Sequence, residues 1–348
     1  MAGKATQAET LAKRVSIADV AKLAGCAPAT VSRRLNNPEI VSPSVVESID
    51  HAIQALGYVR NGSARQLRSS RSHLVGAIIP TIRHSIYAEM LAGLQQSLER
   101  NGFALIYSTS EYDLDEEYKQ ALTLVERGIE ALVLVGTRHR SKTFDLLNTH
   151  NVSCAVTYAL QKDFNYTSIG FDNYRAAALA ARRLWALGHR TFGMIAGITT
   201  NNDRAQARVA GFTDTLLGLG ATRDDVIIRE APYQIGAGRQ MMASLLAAAP
   251  QISAVFCGSD VLAIGAMSEL RSQGISVPDR CSIIGFDNLE IAAYVDPPLS
   301  TLNVPAYEMG VETGEWVVRS EPGKVIPRKV ELDVEYVERG TTAKAPPR

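Results

Sequence analysis

Long apolar runs are missing from this 348-residue chain: none approaches the roughly 18 residues of a membrane span. The opening MAGKATQAETLAKR holds no apolar stretch that could serve as a signal peptide. Cysteine is sparse. Cys26, Cys154, Cys257 and Cys281 are scattered, form no CxxC and have no histidine at ligand spacing. That pattern favours structural thiols in a reducing compartment over disulfides or a metal site. A cytoplasmic location, away from membranes, is the expectation. Catalytic signatures are also missing: there is no GxSxG, no Walker loop, no HExxH and no GxGxxG after a strand. The six histidines are isolated. Neither an enzyme nor a cofactor- or metal-dependent protein is expected.

What is present is ordinary in bulk and uneven in charge. Apolar residues make up 46% and charged residues 21%, and the length suits two or three domains. The net charge is zero, yet ten Lys/Arg against five Asp/Glu give the first 72 residues +5 and leave the rest at −5. A basic head on an acidic body suggests that the head alone meets a polyanion.

Residues 1–14 read as a disordered lead-in. Ser16 and Asp19 then make an S-x-x-D helix start, a relative of the capping box. Ile17, Val20, Ala21 and Ala24 lie on one stripe of a two-turn helix. Gly25 can take positive φ and stop it. Pro28 suits the first turn of a second helix, in which Val31 and Leu35 dock on the first stripe. Ala29, Thr30, Arg33 and Arg34 are left facing mainly elsewhere. A third helix starts with Ser42 as N-cap and Pro43 at N1, buries Val46, Ile49, Ile53 and Leu56, and ends at Gly57. Two short helices joined by a tight glycine turn and buttressed by a third describe a helix-turn-helix. In that arrangement small residues at the start of the second helix approach base edges. Arg33 can grip a guanine with both prongs and Arg34 a phosphate. A three-helix protein-interaction module is the alternative.

The following stretch, YVRNGSARQLRSSRS (58–72), spaces Arg65, Arg68 and Arg71 three apart, with Leu67 alone among them. By itself it is a linker. Its basic residues would gain by folding along phosphates, and a lone leucine fits a wedge between minor-groove base steps.

These residues resemble the DNA-binding head and hinge of the LacI/GalR family of bacterial repressors. The order D-V-A-x-x-A-G, A-T-V-S-R, L-N, V-S, L-G-Y and A-R-x-L carries the likeness. The resemblance implies that Pro28, Ala29 and Arg33 read bases while Thr30 and Ser32 contact mainly phosphates. It implies that Ala64 and Leu67 act in the hinge, Leu67 as the intercalating leucine. Ser16, Arg34, Asn36, Tyr58, Asn61, Arg65 and Arg68 complete the expected DNA-binding set. Arg60-Asn61-Gly62 departs from the pattern, because many members carry a proline there.

From His73 short β-rich runs alternate with amphipathic stretches of helix length. The runs are Leu74–Ile79, Phe103–Ser108, Ala131–Val135, Val152–Thr157, Ser168–Phe171, Thr191–Ala196, Val226–Ile228, Ala254–Cys257, Ser282–Phe286 and Thr301–Val304. Helices are expected at 86–101 and 173–187, among others, and DLDEE (113–117) suits a helix start. The fold class is α/β: a helix-turn-helix head and hinge joined to two parallel sheets of four to six strands, covered by helices on both faces. Ligands in such folds bind at the carboxyl ends of the strands, so a cleft between the sheets is the default site.

The body is similar to the periplasmic-binding-protein-like core of the same family. The motifs are GxxxxP at 76–80, LGHR at 187–190, RxxGF at 208–212, AVFCGSD at 254–260, VP…IIGFDN at 277–288 and PPLSTL at 297–302. The likeness implies two subdomains with crossings near 172, 300 and 330, and dimerisation through the body. The expected domains are 1–14 lead-in, 15–60 DNA-binding head, 61–72 hinge, 73–340 core and 341–348 tail. Within the core, 73–172 and 303–329 form the N-subdomain, and 173–302 and 330–340 the C-subdomain. Arg208 and Asp287 fall where the family grips hydroxyls or carboxylates. Tyr87 and Tyr233 fall at aromatic walls. Ser259 or Asp260 takes a further contact position, although Asp260 equally suits a helix N-cap. Ile86, Tyr158, Asn202 and Arg204 lie on loops near the site. Arg138, in the Arg138-His139-Arg140 cluster at a strand end, is either an anion contact or a solvated loop residue.

The expected protein is therefore a homodimeric repressor of a pseudo-palindromic double-stranded DNA operator, controlled by a small-molecule effector. Arginine, aspartate and tyrosine walls suit a polyhydroxylated ligand. The loops NPE, GFDN and TRHR resemble those of gluconate-responsive members, which puts a sugar acid ahead of a neutral sugar or a purine. A transporter's solute-binding protein shares the body's fold, but its basic head would have no use. A sugar-modifying enzyme would need catalytic motifs.

Overall fold

Local capping signals dictate the head. In the computed structural model, which describes residues 15–59, 71–83, 85–160, 166–320 and 327–347, α1 (Ile17–Leu23) opens with a reciprocal capping box. The Asp19 amide donates to Ser16 Oγ at 3.3 Å, and the Ser16 amide to the Asp19 carboxylate at 2.8 Å. Gly25, at φ +67°, turns the chain into α2 (Pro28–Asn36), where Pro28 occupies the first turn. α3 (Pro43–Leu56) ends on Gly57 in the left-handed conformation; Ser42 stands at its N-cap without a side-chain capping bond. Val20, Ala21, Val31, Ile49 and Ala52 form the head's core, with Ile17, Leu35, Ile53 and Leu56 around it. Val46 lies outside this cluster, and Val45 and Ala52 fill the α3 face instead.

Residues 1–72 and 73–348 form two compact units. In the second unit, near-continuous apolar runs become parallel strands buried on both faces. The order along the chain is β1 (Leu74–Ile79), α4 (Ser85–Glu99), β2 (Ala104–Thr109), α5 (Leu114–Glu126), β3 (Ala131–Val135), α6 (Ser141–Thr149), β4 (Ser153–Thr157) and β5 (Thr167–Gly170). Then follow α7 (Asn173–Ala186), β6 (Phe192–Gly197), α8 (Asp203–Gly218), β7 (Val226–Ala231), α9 (Ile235–Ala248), β8 (Ala254–Cys257), α10 (Asp260–Ser272) and β9 (Ser282–Ile284). β10 (Thr301–Asn303), α11 (Ala306–Arg319), β11 (Lys329–Glu331) and β12 (Glu335–Val337) complete the chain.

A six-stranded sheet, β11-β5-β4-β3-β1-β2, builds one lobe, and a four-stranded sheet, β7-β6-β8-β9, the other; all their pairings are parallel. β10 and β12 pair antiparallel. Asp113 caps α5 through bonds to the amides of Asp115 and Glu116, so the acidic run does begin a helix. The four cysteines are unpaired thiols.

Two expected boundaries move. β11 belongs to the six-stranded sheet through Glu331, and the Leu332 amide still donates to the Gly170 carbonyl at 2.7 Å. The third crossing, expected near 330, follows residue 332, so residues 330–332 belong to the six-stranded lobe. Residues 341–345, expected as a tail, are stitched into the four-stranded lobe. Thr341 is fully buried, its Oγ1 donates to the Ile283 carbonyl at 2.7 Å, and it accepts the Ser300 amide at 2.8 Å. The Ala345 amide reaches the Leu187 carbonyl at 2.9 Å. The buried imidazole of His189, from the LGHR motif, bridges Ser253, Ser282 and the Ala343 carbonyl.

Candidate functional sites in the head and the cleft

Pro28, Ala29 and Arg33 stand exposed along α2, and Thr30 and Ser32 are half-buried beside them. A helix with small residues at its start and a free guanidinium one turn on can present base-reading groups to a groove. Arg34 differs from its expected role. Its Nη2 donates to Asp50 of α3 at 2.8 Å, so it ties two helices together and reaches a phosphate only by sharing that bond. Ser16 is engaged in its capping box, Asn36 donates to the Ser32 carbonyl at 2.8 Å, and Tyr58 packs against the head's core. Asn61, Ala64, Arg65, Leu67 and Arg68 lie outside the described residues.

The cleft between the lobes is walled by residues that follow strand ends, as the doubly wound topology requires. The six-stranded lobe supplies Ile86 and Tyr87 after β1, Tyr158 after β4 and Phe171 after β5; the other supplies Asn202, Arg204 and Arg208 after β6, Tyr233 after β7, Ser259 after β8 and Phe286 and Asp287 after β9. The free volume is about 40 Å³, far below the roughly 300–1,000 Å³ of ordinary ligand pockets. A second space of about 550 Å³ adjoins it and shares Ser85, Ile86, Asp287 and Leu289 with it.

Arg208 is the centre of this wall. One guanidinium nitrogen donates to Asn173 Oδ1 at 2.6 Å and another to Tyr233 Oη at 2.8 Å, while the group lies 4.6 Å from the Phe286 ring centre. This cation is buried and held in one orientation by aromatic and amide partners. Asp287 accepts the Ser259 hydroxyl at 2.9 Å. Burial, then the nearby charge of Asp260, push its carboxyl up to about 8, against the opposing pull of Arg208 and Ser259. The cleft thus favours its uncharged form. Burial also raises the phenols of Tyr87 and Tyr158, which therefore stay neutral. The Tyr158 hydroxyl donates to the Ile86 carbonyl at 2.6 Å, and the Tyr87 and Tyr158 rings meet edge to face at 5.3 Å. Tyr158, Asp287 and Asn288 all have positive φ (62°, 110° and 53°), so backbone strain gathers where these side chains are aimed.

Two expected contacts are corrected. Arg138 is exposed and does not line the cleft: the turn after β3 points His139 inward, onto Glu117, and leaves Arg138 in solvent. Asp260 is fully buried behind the wall, where its carboxylate accepts Thr301 Oγ1 at 2.5 Å and the Leu289 amide at 2.7 Å. It braces the loop that carries Asp287. Phe171, Phe286 and Asn173 escape the motif reading, though a signal exists. Gly-Phe-Asp-Asn occurs twice, at 170–173 and 285–288, each time just past a strand, and its two phenylalanine rings sit 6.0 Å apart. Tyr112, behind the wall, also escapes; its hydroxyl is 3.4 Å from that of Tyr87.

No helix among the described residues is long and apolar enough to cross a membrane. Residues 16–61 match the model of bacterial regulatory proteins, lacI family, and 181–342 that of the periplasmic binding protein-like domain. The chain is 29% identical to the HTH-type transcriptional repressor CytR of Escherichia coli over 346 residues, 99% of this chain and 100% of the relative. It is 30% identical to the HTH-type transcriptional regulator MalR of Streptomyces coelicolor over 340 residues, 95% of this chain and 97% of that one. Its fold is similar to that of the transcriptional regulator CelR in complex with cellobiose, with a TM-score of 0.70 and 26% identity across 94% of this chain and 100% of that one. The head, the two-lobed body and full-length relatedness at this level meet in one conclusion: the chain belongs to the lacI family of bacterial regulatory proteins.

Proposed function

We propose that this regulator is a homodimeric repressor that binds a pseudo-palindromic operator through α2 and releases or tightens its grip when a sugar or sugar acid enters the cleft. The observation that carries this reading is the buried Arg208, fixed by Asn173 and Tyr233 over the Phe286 ring, on the same cleft wall as Asp287. Hydroxyls need donors and acceptors in alternation, and sugar faces stack on rings. A fixed cation in the wall favours an acid, such as gluconate, over a neutral sugar. The sugar complex of CelR supports the ligand class. The exposed Pro28, Ala29 and Arg33 support operator reading. A ligand shifts DNA affinity only as far as it prefers one arrangement of the lobes over another.

The test is a thermal-shift screen of the full chain against sugar acids, neutral sugars and purines, followed by selection of operator DNA from a random pool with and without the compound that binds. A shift with sugar acids and a selected palindrome are expected. A shift with purines alone removes the ligand class, and failure to select any sequence removes the operator.

A further inference from the structure

At the start of α8 two charged residues reach across the cleft. Asn202 caps the helix with its side chain, and Asp203 and Arg204 follow it in the first turn. The Asp203 carboxylate accepts the Thr137 amide at 2.8 Å and the Thr137 hydroxyl at 2.9 Å, both from the turn after β3 in the opposite lobe. Arg204 Nη1 donates to the Val135 carbonyl of β3 at 3.1 Å and to Asp203 at 2.8 Å. Gly136 lies between these partners at φ +87°, and a Cβ there would stand 1.9 Å from Arg204 Nη1 and 2.6 Å from Asp203 Oδ1. Its backbone angle demands glycine, and a Cβ would push the ends of both side chains out of place. Behind the turn, His139 braces it from its own lobe: Nδ1 faces Glu117 at 2.8 Å and Nε2 faces the Gly136 carbonyl at 2.9 Å.

Electrostatics favour the same contact. Burial works against an ionised Asp203, yet Arg204, the two Thr137 donors and His139 outweigh it and hold the carboxyl below its ordinary range. A half-buried, ionised acceptor with donors from the other lobe loses its best partners when the lobes separate.

We propose that Asp203 and Arg204 form a latch that holds the two lobes together across the cleft. The effector then acts on a core whose closure the chain itself has already biased, and the strength of the latch sets how far binding can shift the population. This inference is independent of the ligand's identity and of DNA, and it requires only the effector-free protein.

Hydrogen exchange followed by mass spectrometry on the full chain, without ligand or DNA, tests it. Thr137→Val removes the hydroxyl donor and preserves shape, and Asp203→Asn removes the charge. Because hydrogen bonds to charged groups carry the contact, each variant is expected to speed amide exchange about tenfold. The acceleration should appear in both 131–140 and 199–208, and exchange in the buried strand β8 should stay unchanged. Acceleration confined to the segment that carries the substitution, or none, overturns the latch. Should Asp203→Asn lose its far-ultraviolet dichroism, Thr137→Val decides alone, because its effect on the opposite lobe is a readout that local damage does not reproduce.

Discussion

The guanidinium of Arg208, on α8, lies over the ring of Phe286, just past β9 in the same lobe, 4.6 Å from its centre. Whichever compound raises the melting temperature of the wild-type chain should fail to do so with Arg208→Ala. Phe286→Leu, which keeps bulk but loses the π face, should weaken binding by about 0.5–2 kcal/mol. Isothermal titration checks both. Undiminished affinity in Arg208→Ala removes it from the ligand's reach.

Asp287 makes stability depend on pH with a definite sign. Its folded-state value, pushed up from 3.8 to about 8, means that the folded chain holds this proton more tightly than the unfolded one. Stability from this group is complete below about pH 4 and declines as pH rises towards about 8. Asp287→Asn cannot ionise. Its stability relative to wild type, measured by urea denaturation between pH 5 and 9, should therefore rise with pH and level off above about 8; a constant difference would contradict the shifted carboxyl.

In the head, Arg33→Ala should relax sequence preference, because that side chain is exposed on α2. Asp50→Asn should act differently. It releases Arg34 from its 2.8 Å ion pair and removes a negative charge, so all DNA should bind more tightly with a steeper salt dependence. The stability cost should be about 0.2–1 kcal/mol, as for other exposed pairs. Filter binding across a salt series reads the first effect and thermal melting the second.

Thr341→Val should destabilise the core by about 2–4 kcal/mol, since it leaves the Ser300 amide and the Ile283 carbonyl without their buried side-chain partner. Urea denaturation measures it. A loss below 1 kcal/mol, within the error of a surface substitution, would show that these two groups find other partners.

The head is almost wholly legible in the sequence because its signals are short-range: a capping box, a proline in the first turn and a glycine at the stop. Long-range facts are harder to read. β11 (KVE) and β12 (EYV) are too short and too polar to stand out, so the pairing of β11 and the stitching of 341–345 stay hidden. In the cleft, strand-end logic finds Arg208 and Asp287, yet it cannot say which way a side chain turns after the strand. Arg138 and Asp260 illustrate this: one faces solvent and the other the loop behind the wall. Arg34 likewise has its phosphate role only from helix spacing, and spacing cannot show that Asp50, sixteen residues on, lies within reach.

The stitching of residues 341–345 also orders events at the ribosome. The head is complete once its first few dozen residues have emerged, and units of this size fold as they appear. The four-stranded lobe cannot close its edge until Thr341, Ala343 and Ala345 arrive to bond Ile283, His189 and Leu187. The head is therefore ready well before the four-stranded lobe, which waits for a segment about 280 residues further along.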